Sequence, residues 1–315
     1  MMFDMDSPNR RGVLLALSAG FLWGFPGILV KSIEGFSFLG LATLRMFLAF
    51  LMIAAGILIF KKGGELVASF RYWKFWILLG LLMSFHWAWG MAGFQYTLVA
   101  NASLFGNTTP LFLLFLGPLF LGESLRKQEI IFMAVTFVGI FLMIDGKGFS
   151  WDNLQFRGDM FSILGAFSFA IYSIIVRKKR ALFPFYIMMF WLFLISSLFM
   201  VLGGWLFEIP FTIGPIPSIS WFYLLILVIF PTVAAHSAYN FSLSFLRSDQ
   251  AATIILIGPL FAAFLGYLFL EEKLPSQSIL GMVLVLCGIY GIIAFHSNSL
   301  RFSWDRLKSL FKISH

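Results

Sequence analysis

Long apolar stretches dominate the chain, and short polar breaks separate them. A bilayer-crossing helix needs about 20 mostly apolar residues, and ten stretches of this sequence approach or exceed that length. They are apolar on all sides, without the strict alternation of apolar and polar residues that membrane β-strands show. The pattern therefore predicts an all-α membrane protein with ten transmembrane helices. The predicted spans are residues 12–30, 37–60, 73–95, 98–121, 128–144, 159–176, 184–206, 221–244, 250–270 and 277–295.

Composition supports the membrane assignment and excludes nucleic acid as a partner. Hydrophobic residues make up 60% of the chain and charged residues 11%, with a mean hydropathy of +0.94. A soluble domain carries about 25% charged residues, so lipid must solvate much of this surface. The formal net charge is +8, but the basic residues are confined to the short breaks between spans. That distribution specifies membrane topology and forms no basic groove for nucleic acid.

The lysine and arginine distribution predicts the orientation of the spans. With the N-terminus in the cytoplasm, the cytoplasmic segments hold 17 of the 22 basic residues and the external segments hold four, and Arg45 is left inside a span. This asymmetry predicts that both termini are cytoplasmic, which requires an even number of spans. Short connections and no targeting segment favour the plasma (inner) membrane of a bacterium or archaeon.

The two ends of the chain lie outside the predicted spans. Residues 1–11 form a short cytoplasmic N-terminus. In residues 297–315, apolar side chains recur at helical spacing and basic side chains follow one position behind. This pattern predicts a basic amphipathic helix that lies on the inner leaflet and anchors the end of the chain. The apolar positions are Leu300, Trp304, Leu307 and Phe311.

The chain contains an internal repeat with an offset of 149 residues. Residues 110–125 read PLFLLFLGPLFLGESL, and residues 259–274 read PLFAAFLGYLFLEEKL. Chance would align leucines in such a composition, but it would not readily align Pro, Phe, Gly, Glu and Gln together. Further positions match in the same register: Gln128 with Gln277, and Gly139 with Gly288.

The repeat predicts two halves of five spans each. Residues 12–145 form the first half, residues 159–296 the second, and residues 146–158 connect them. Because five is an odd number, the second half must cross the membrane in the opposite orientation. Inverted repeats of this kind are typical of secondary transporters, whose substrate site lies near the bilayer midplane between the halves.

Several motifs together are similar to those of one known family: Trp23-Gly24 with Lys31 at the end of span one, Arg45 in span two, and the Pro…Gly-Glu-x-Leu…Gln…Gly pattern in both halves. On these motifs the chain resembles the EamA family of the drug/metabolite transporter superfamily over about residues 12–296. The resemblance implies ten helices in two five-helix repeats and the movement of small metabolites such as amino acids, often outward. One departure is that Gly122-Glu123 becomes Glu271-Glu272 in the second repeat. Small multidrug pumps of this superfamily use a glutamate in the first helix, but span one here has no acidic residue, so that coupling scheme does not carry over.

Two prolines in matching spans are candidate helix breaks. Pro110 and Pro259 each remove a backbone donor and clash with the carbonyl four residues earlier, and Gly258 loosens the second break further. Paired interruptions in corresponding helices point to a transporter site. The alternative is a kink that serves packing alone. The symmetry of the two positions favours function.

Arg45 is the one arginine or lysine that lies deep inside a predicted span, nine residues into span two. A charge at that depth costs at least about 2.5 kcal/mol on insertion scales. Arg45 could pair with a substrate carboxylate, or it could fix helix packing by bonding to carbonyls or reaching the membrane surface. We favour the structural interpretation, because the arginine resembles a family feature that does not track with any one substrate.

Polar and aromatic residues near mid-membrane form the predicted substrate site. His86 lies in span three, and His236, Tyr239 and Asn240 lie in the corresponding span eight. Membrane His and Asn often serve interhelical hydrogen bonding, and histidine can also carry a proton. As a set that faces one cavity, these residues favour substrate binding. Asn107 lies one turn before the first proline. It could hydrogen-bond to the backbone groups that the helix break leaves without partners, or it could bind substrate.

Aromatic and acidic residues complete the set of candidates. Trp23 and Tyr172 lie on the first span of each half and are candidate aromatic walls of the site. Glu123 and Glu272 occupy matching helix ends, which favours a structural role as caps or ion-pair partners.

A transporter that alternates access to a central cavity is the leading functional hypothesis. The sequence has four histidines and lacks histidine boxes, zinc motifs and phosphate loops, so we expect no enzyme activity, metal or cofactor. The predicted cavity contains no committed acid, which favours neutral or zwitterionic metabolites such as amino acids over cations. Two alternatives remain open: an uptake carrier for a nucleotide-derived metabolite that stacks on aromatics, and a non-transporting sensor or assembly subunit.

Overall fold

The computed structural model describes residues 8–121, 127–144, 150–177, 182–246 and 248–310 as a bundle of α-helices. A 3₁₀ turn at Phe70–Tyr72 and a π-helical turn at Val228–Ala234 interrupt the α-helical segments. The helices are α1 (Pro8–Gly24), α2 (Pro26–Ser32), α3 (Phe38–Ile59), α4 (Gly63–Ser69), α5 (Trp73–Tyr96), α6 (Val99–Gly106), α7 (Thr109–Leu121), α8 (Lys127–Ile144), α9 (Leu154–Arg177), α10 (Phe185–Leu206), α11 (Ser218–Leu227), α12 (Ala235–Ser242), α13 (Ser248–Ile254), α14 (Ile257–Leu270) and α15 (Ser276–Leu310).

The prediction of ten membrane spans is confirmed. Within the described residues, ten helical segments are long and apolar enough to cross a bilayer. Spans two, five, six, seven and ten are single helices, and spans one, four and nine consist of two α-helical pieces each. Span three comprises α4, the 3₁₀ turn and α5, and span eight comprises α11, the π-helical turn and α12. The interruption of span one was not predicted. It falls at Phe25, immediately before Pro26, whose missing N–H makes a proline suited to the first turn of a new helix.

The connection between the halves is more helical than predicted. Helix α9 begins at Leu154, inside the segment 146–158 that was predicted to be a loop. Asn153 explains the early start, because its side-chain oxygen accepts hydrogen bonds from the backbone N–H of Gln155 at 2.9 Å and of Phe156 at 3.2 Å. An asparagine at this position is a strong N-cap.

The C-terminal segment also differs from the prediction. Helix α15 continues without a break from Ser276 to Leu310, whereas the sequence pattern predicted a separate helix beginning after Ser299. No proline or glycine follows Gly291 within this helix. Nothing in the local sequence therefore forces the helix to end where the apolar span does.

The helix packing repeats itself between the first and the last five spans. Helix α5 packs along α9, and in the same way α1 packs along α12. The first pair joins spans three and six, and the second pair joins spans eight and one. Spans two and seven pack together through α3 and α10, and spans five and ten through α8 and α15. This exchange of equivalent partners is consistent with two inverted five-helix repeats.

Glycines bring α8 and α15 into backbone contact. A Cβ atom added to Gly139 would lie 2.7 Å from the carbonyl oxygen of Gly281, and one added to Gly281 would lie 2.7 Å from that of Gly139. A Cβ on Gly288 would lie 2.1 Å from Thr136 Oγ1. Small residues of this kind let membrane helices approach closely. The repeat-related glycines Gly139 and Gly288 thus lie in one interface.

Two connecting loops meet at the end of the bundle where span one finishes. The backbone N–H of Ser37 donates to Phe211 at 3.0 Å, and that of Ile213 donates to Gly35 at 2.9 Å. Gly35 has a φ of +86°, a conformation that glycine adopts without strain. This loop contact, which we call the loop clasp (residues 33–37 with 209–213), joins span two to span seven.

Candidate functional site

Trp23 of span one contacts two predicted site residues of span eight. Its ring centroid lies 5.2 Å from that of His236 and 5.3 Å from that of Tyr239. His236 Nδ1 donates to the carbonyl oxygen of Thr232 at 2.7 Å, and Asn240 Nδ2 donates to that of His236 at 2.8 Å. These bonds within span eight fix the imidazole beside the indole. We call Trp23, His236 and Tyr239 the Trp23 cluster.

A second cluster joins span three to span six. His86 Nδ1 donates to the carbonyl oxygen of Gly165 at 3.0 Å, and its ring lies 4.9 Å from that of Phe169. The Phe169 ring stacks on Tyr172 at 5.4 Å. Tyr172 is buried, with its hydroxyl 3.8 Å from Met188 Sδ. We call His86, Phe169 and Tyr172 the His86 cluster.

Each cluster lies next to an interrupted helix. Span four is interrupted between Gly106 and Thr109, which places Pro110 in the first turn of α7. Thr109 Oγ1 lies 3.3 Å from the carbonyl oxygen of Ala166, the neighbour of the residue that accepts from His86. Proline fits a first turn because no intrahelical partner awaits its missing N–H.

The interruption of span nine mirrors that of span four. Helix α13 ends at Ile254, and α14 begins at Ile257, so that Gly258 and Pro259 lie in the first turn of α14. A Cβ added to Gly258 would lie 3.0 Å from the backbone oxygen of Gly20 and 3.9 Å from Trp23 Cβ. The interrupted helix of the last five spans therefore packs against span one, and the interrupted helix of the first five spans packs against span six.

Arg45 lies between the two histidine-bearing helices. Its Nε donates to Thr232 Oγ1 at 2.6 Å, and its Nη1 lies 4.0 Å from Met91 Sδ in α5. The side chain is buried, with a relative exposure of 5%. Thr232 belongs to the π-helical turn, and its hydroxyl in turn donates to the carbonyl oxygen of Leu227 at 2.7 Å. π-Turns inside membrane helices are frequent at functional sites.

The side chain of Asn107 bonds to its own helix. Its side-chain Nδ2 donates to the carbonyl oxygen of Ser103 at 2.8 Å, one turn earlier in α6. In the structure it therefore satisfies the backbone at the helix end, one of the two roles that the sequence left open. Thr108 makes the same kind of bond to Phe105 at 2.6 Å.

Sequence reasoning missed several residues of this region. Thr232 orients Arg45, Phe169 bridges His86 and Tyr172, and Pro231 sits inside the π-turn. Pro231 was the available signal, since a mid-span proline disrupts regular α-helical hydrogen bonding. Pro231 has no counterpart in the repeat, because the matching residue in span three is Leu82.

Glu272 makes two contacts at the end of the bundle where span nine finishes. Its Oε1 lies 2.8 Å from Lys31 Nζ, and its Oε2 accepts the backbone N–H of Val99 at 2.8 Å. Val99 is the first residue of α6, whose N-cap residue Leu98 provides no side-chain acceptor. Glu272 therefore both pairs with a lysine and caps a helix, as its position in the repeat predicted. The matching Glu123 lies outside the described residues.

Replacement of Glu272 by glutamine should destabilise the protein. The amide can still accept from Val99, but it leaves Lys31, whose side chain is 24% exposed, without its counterion. We expect a loss of about 1–2 kcal/mol in the free energy of unfolding, measured as a lower melting temperature by tryptophan fluorescence in detergent. Glu271→Gln is the matched control, because Glu271 is exposed. Equal melting temperatures for the two variants would contradict the role given to Glu272.

The donor set of the region consists of imidazole, hydroxyl, amide and guanidinium groups beside aromatic rings. Among the described residues, no group of three or more His, Cys, Asp or Glu side chains could hold a metal ion. Such a set binds small polar molecules through hydrogen bonds, aromatic contact and one positive charge.

Ten membrane spans with interrupted helices beside paired polar clusters define a polytopic membrane protein of the transporter type. The sequence matches the EamA-like transporter family over residues 10–145 and 156–294. The protein therefore belongs to that family, within the drug/metabolite transporter superfamily, and the resemblance seen in its motifs is confirmed.

Three curated relatives that are named as transporters match this chain over almost their full lengths. An uncharacterized transporter of Archaeoglobus fulgidus is 24% identical over 90% of this chain and 96% of its own length. The uncharacterized transporter YoaV of Bacillus subtilis is 20% identical over 87% and 94%. The pseudopaline exporter CntI of Pseudomonas aeruginosa is 23% identical over 88% and 94%. A protein of known crystal structure superimposes with a TM-score of 0.60 at 18% identity, over 92% of this chain and 98% of the other, which supports the fold.

Proposed function

We propose that this protein is a secondary transporter that exports or exchanges a small metabolite, such as an amino acid, by alternating access. The observation that carries the proposal is the pairing of the Trp23 and His86 clusters. Each cluster joins a helix of the first five spans to a helix of the last five, and each lies beside an interrupted helix. Substrate sites of inverted-repeat transporters lie at such interfaces.

The interrupted helices supply the movement in this proposal. At Asn107 and Thr108 the backbone N–H groups bond to the carbonyl oxygens three residues earlier instead of four, and Leu256 bonds to Thr253 in the same way. Element ends of this kind absorb backbone changes during domain motion. Because each interrupted helix packs against the first span of the other half, a rocking motion of one half against the other changes both packing contacts together. A substrate held between the clusters would then open to one side at a time.

The direction of transport and the orientation in the membrane are part of the proposal. Both termini are placed in the cytoplasm, since 17 basic residues then lie inside and four outside. The membrane is the plasma (inner) membrane. The similarity to an exporter, CntI, supports outward movement. We assign the protein no enzymatic reaction and no cofactor.

The aromatic rings favour one alternative substrate class. Trp23 in one cluster and the stacked pair of Phe169 and Tyr172 in the other offer π-faces to a nucleobase, which aromatic side chains bind by stacking. An uptake carrier for a nucleotide-derived metabolite would use these faces. A non-transporting sensor would bind the same ligands without moving them.

Uptake into proteoliposomes tests the proposal. Labelled amino acids and nucleosides are supplied to vesicles with and without a pH gradient, and protein-free vesicles give the background. We expect saturable flux of at least one amino acid and slower or no flux of nucleosides. Flux of nucleosides alone would favour the alternative carrier. Binding of a panel member without flux would contradict the transporter assignment in favour of a sensor.

A further inference from the structure

We propose that Arg45 forms an oxyanion subsite that binds a carboxylate of the transported metabolite. The inference rests on the proposed function, because it assigns the substrate class of the same site. It replaces the structural interpretation that the sequence alone favoured for this residue. Three features support it: the hydrogen bonds of the guanidinium, the lack of a counterion among the described residues, and the position of Arg45 between the two histidine-bearing helices.

The guanidinium has more donors than the described residues of the protein satisfy. An arginine side chain carries five N–H donors. In the structure, one of them meets Thr232 Oγ1 at 2.6 Å and another faces the thioether sulfur of Met91 at 4.0 Å, which is a weak acceptor. A side chain that is 95% buried and incompletely bonded is costly unless a ligand completes it.

The positive charge also lacks a counterion among the described residues. The ion pairs found there join Lys31 to Glu272 and Lys62 to Glu65, and neither involves Arg45. An unpaired buried charge is expensive in a low-dielectric interior. A bound anion would remove that cost. A substrate that carries an anionic group would therefore gain binding free energy from pairing with Arg45.

The π-turn orients the guanidinium for a ligand. The Thr232 hydroxyl gives its proton to the carbonyl oxygen of Leu227 at 2.7 Å, which leaves an oxygen lone pair for Arg45 Nε. Fixing Nε in this way leaves the two terminal nitrogens as a fork. A fork of this geometry matches the two oxygens of a carboxylate.

The position connects the subsite to the Trp23 cluster. The carbonyl oxygen of Thr232 accepts from His236 at 2.7 Å, so the anion subsite and the imidazole share one turn of span eight. A substrate whose carboxylate meets Arg45 can therefore place its remaining atoms near Trp23 and His236. One positive charge balances a carboxylate, whereas a phosphate monoester would retain excess negative charge in the site.

Competition between acids and their amides tests the subsite. Unlabelled L-amino acids and the corresponding amino acid amides compete with the labelled substrate for uptake, and the same pairs are tested for thermal stabilisation of the purified protein. Removal of one partner from a buried charge pair lowers the binding affinity by at least about thirtyfold. We therefore expect the acid to compete at least about thirtyfold more strongly than its amide. Stronger competition by phosphoserine than by serine would indicate a phosphate site instead of a carboxylate site.

Variants of Arg45 give an independent measure of the acid-to-amide ratio. In Arg45→Met, the ratio should fall to near one while binding of the amide persists, and Arg45→Lys should recover part of the preference. The matched control is Arg71→Met, because Arg71 is exposed and outside the clusters; it should keep the wild-type ratio. If the Arg45→Met protein does not fold, the acid-to-amide ratio of the wild-type protein decides the proposal.

The outcomes separate this inference from the transporter assignment. Flux with a preference for the acid supports both. Flux with equal competition by acid and amide, or with a preference for phosphoserine, overturns the carboxylate subsite and leaves the transporter assignment standing. Acid-selective binding without flux supports the subsite and overturns transport. Absence of both flux and binding overturns both.

Discussion

Replacing His86, His236 and Asn240 together by alanine is expected to reduce substrate flux by at least about a hundredfold, since each polar contact to the substrate contributes about 1 kcal/mol. The two imidazoles belong to different clusters, so the triple variant removes polar groups from both sides of the proposed site. The bonds that His86 and His236 make in the structure go to the carbonyl oxygens of Gly165 and Thr232. Their second ring nitrogens are the groups that we expect a substrate to meet.

The control for this variant uses neighbouring residues on the same helices. Phe85 and Phe241 are 42% and 63% exposed, so they face lipid rather than the clusters. Phe85→Ala with Phe241→Ala should leave flux within about twofold of wild type, as surface substitutions rarely exceed about 0.5 kcal/mol. Flux is measured in proteoliposomes at matched protein content, after melting curves establish that both proteins are folded. Unchanged flux in the triple variant would show that the substrate passes elsewhere.

Gly40→Ala is expected to give the largest loss of stability from a single methyl group. A Cβ at this position would lie 2.0 Å from the carbonyl oxygen of Phe211, which accepts the N–H of Ser37 in the loop clasp. Backbone cannot yield as a flexible side chain can, so the clasp must open or α3 must shift. Overpacking of this kind costs about 1–3 kcal/mol, and we expect the upper part of that range.

Gly56→Ala is the matched control for this prediction. Gly56 lies in the same helix, and an added Cβ would meet no atom within 4 Å. Since alanine forms helices better than glycine by up to about 1 kcal/mol, this variant should be neutral or slightly more stable. Both free energies of unfolding are followed by tryptophan fluorescence in detergent. Similar melting temperatures for the two variants would contradict the close approach of α3 to the loop.

The spans could be predicted from the sequence because the bilayer imposes a single requirement on every one of them. About 20 apolar residues must be continuous in the chain, and a local pattern reveals such a segment. The two prolines at repeat-related positions were informative for a similar reason. Pro110 and Pro259 are disfavoured inside a helix but fit its first turn, so each marks a helix start whatever its distant neighbours are.

The contacts that shape the candidate site could not be predicted in this way. Arg45 and Thr232 are 187 positions apart, and the threonine that accepts the hydrogen bond lies in a π-helical turn. The π-turn has no counterpart in span three, so the repeat gives no guide to it. Phe169 was likewise one aromatic among many, since 19% of the chain is aromatic. Only the packing of α9 along α5 singles it out.

The boundary errors have a common physical origin. The predicted spans began and ended where apolar residues did, whereas helices begin and end where backbone groups find other partners. Asn153 starts α9 before the apolar run, and no helix-breaking residue stops α15 after it. Hydropathy therefore locates the part of a helix inside the membrane and leaves its ends to capping.

Counterflow in proteoliposomes tests the central claim, alternating access to one site, most directly. Vesicles are loaded with an unlabelled amino acid that the protein transports and diluted into a trace of the same labelled compound. A carrier that exchanges substrate across one site predicts a transient accumulation of label above its equilibrium level, and this overshoot should be absent in the triple variant. Label that rises only to equilibrium in loaded vesicles, or no faster than in protein-free vesicles, would contradict the account.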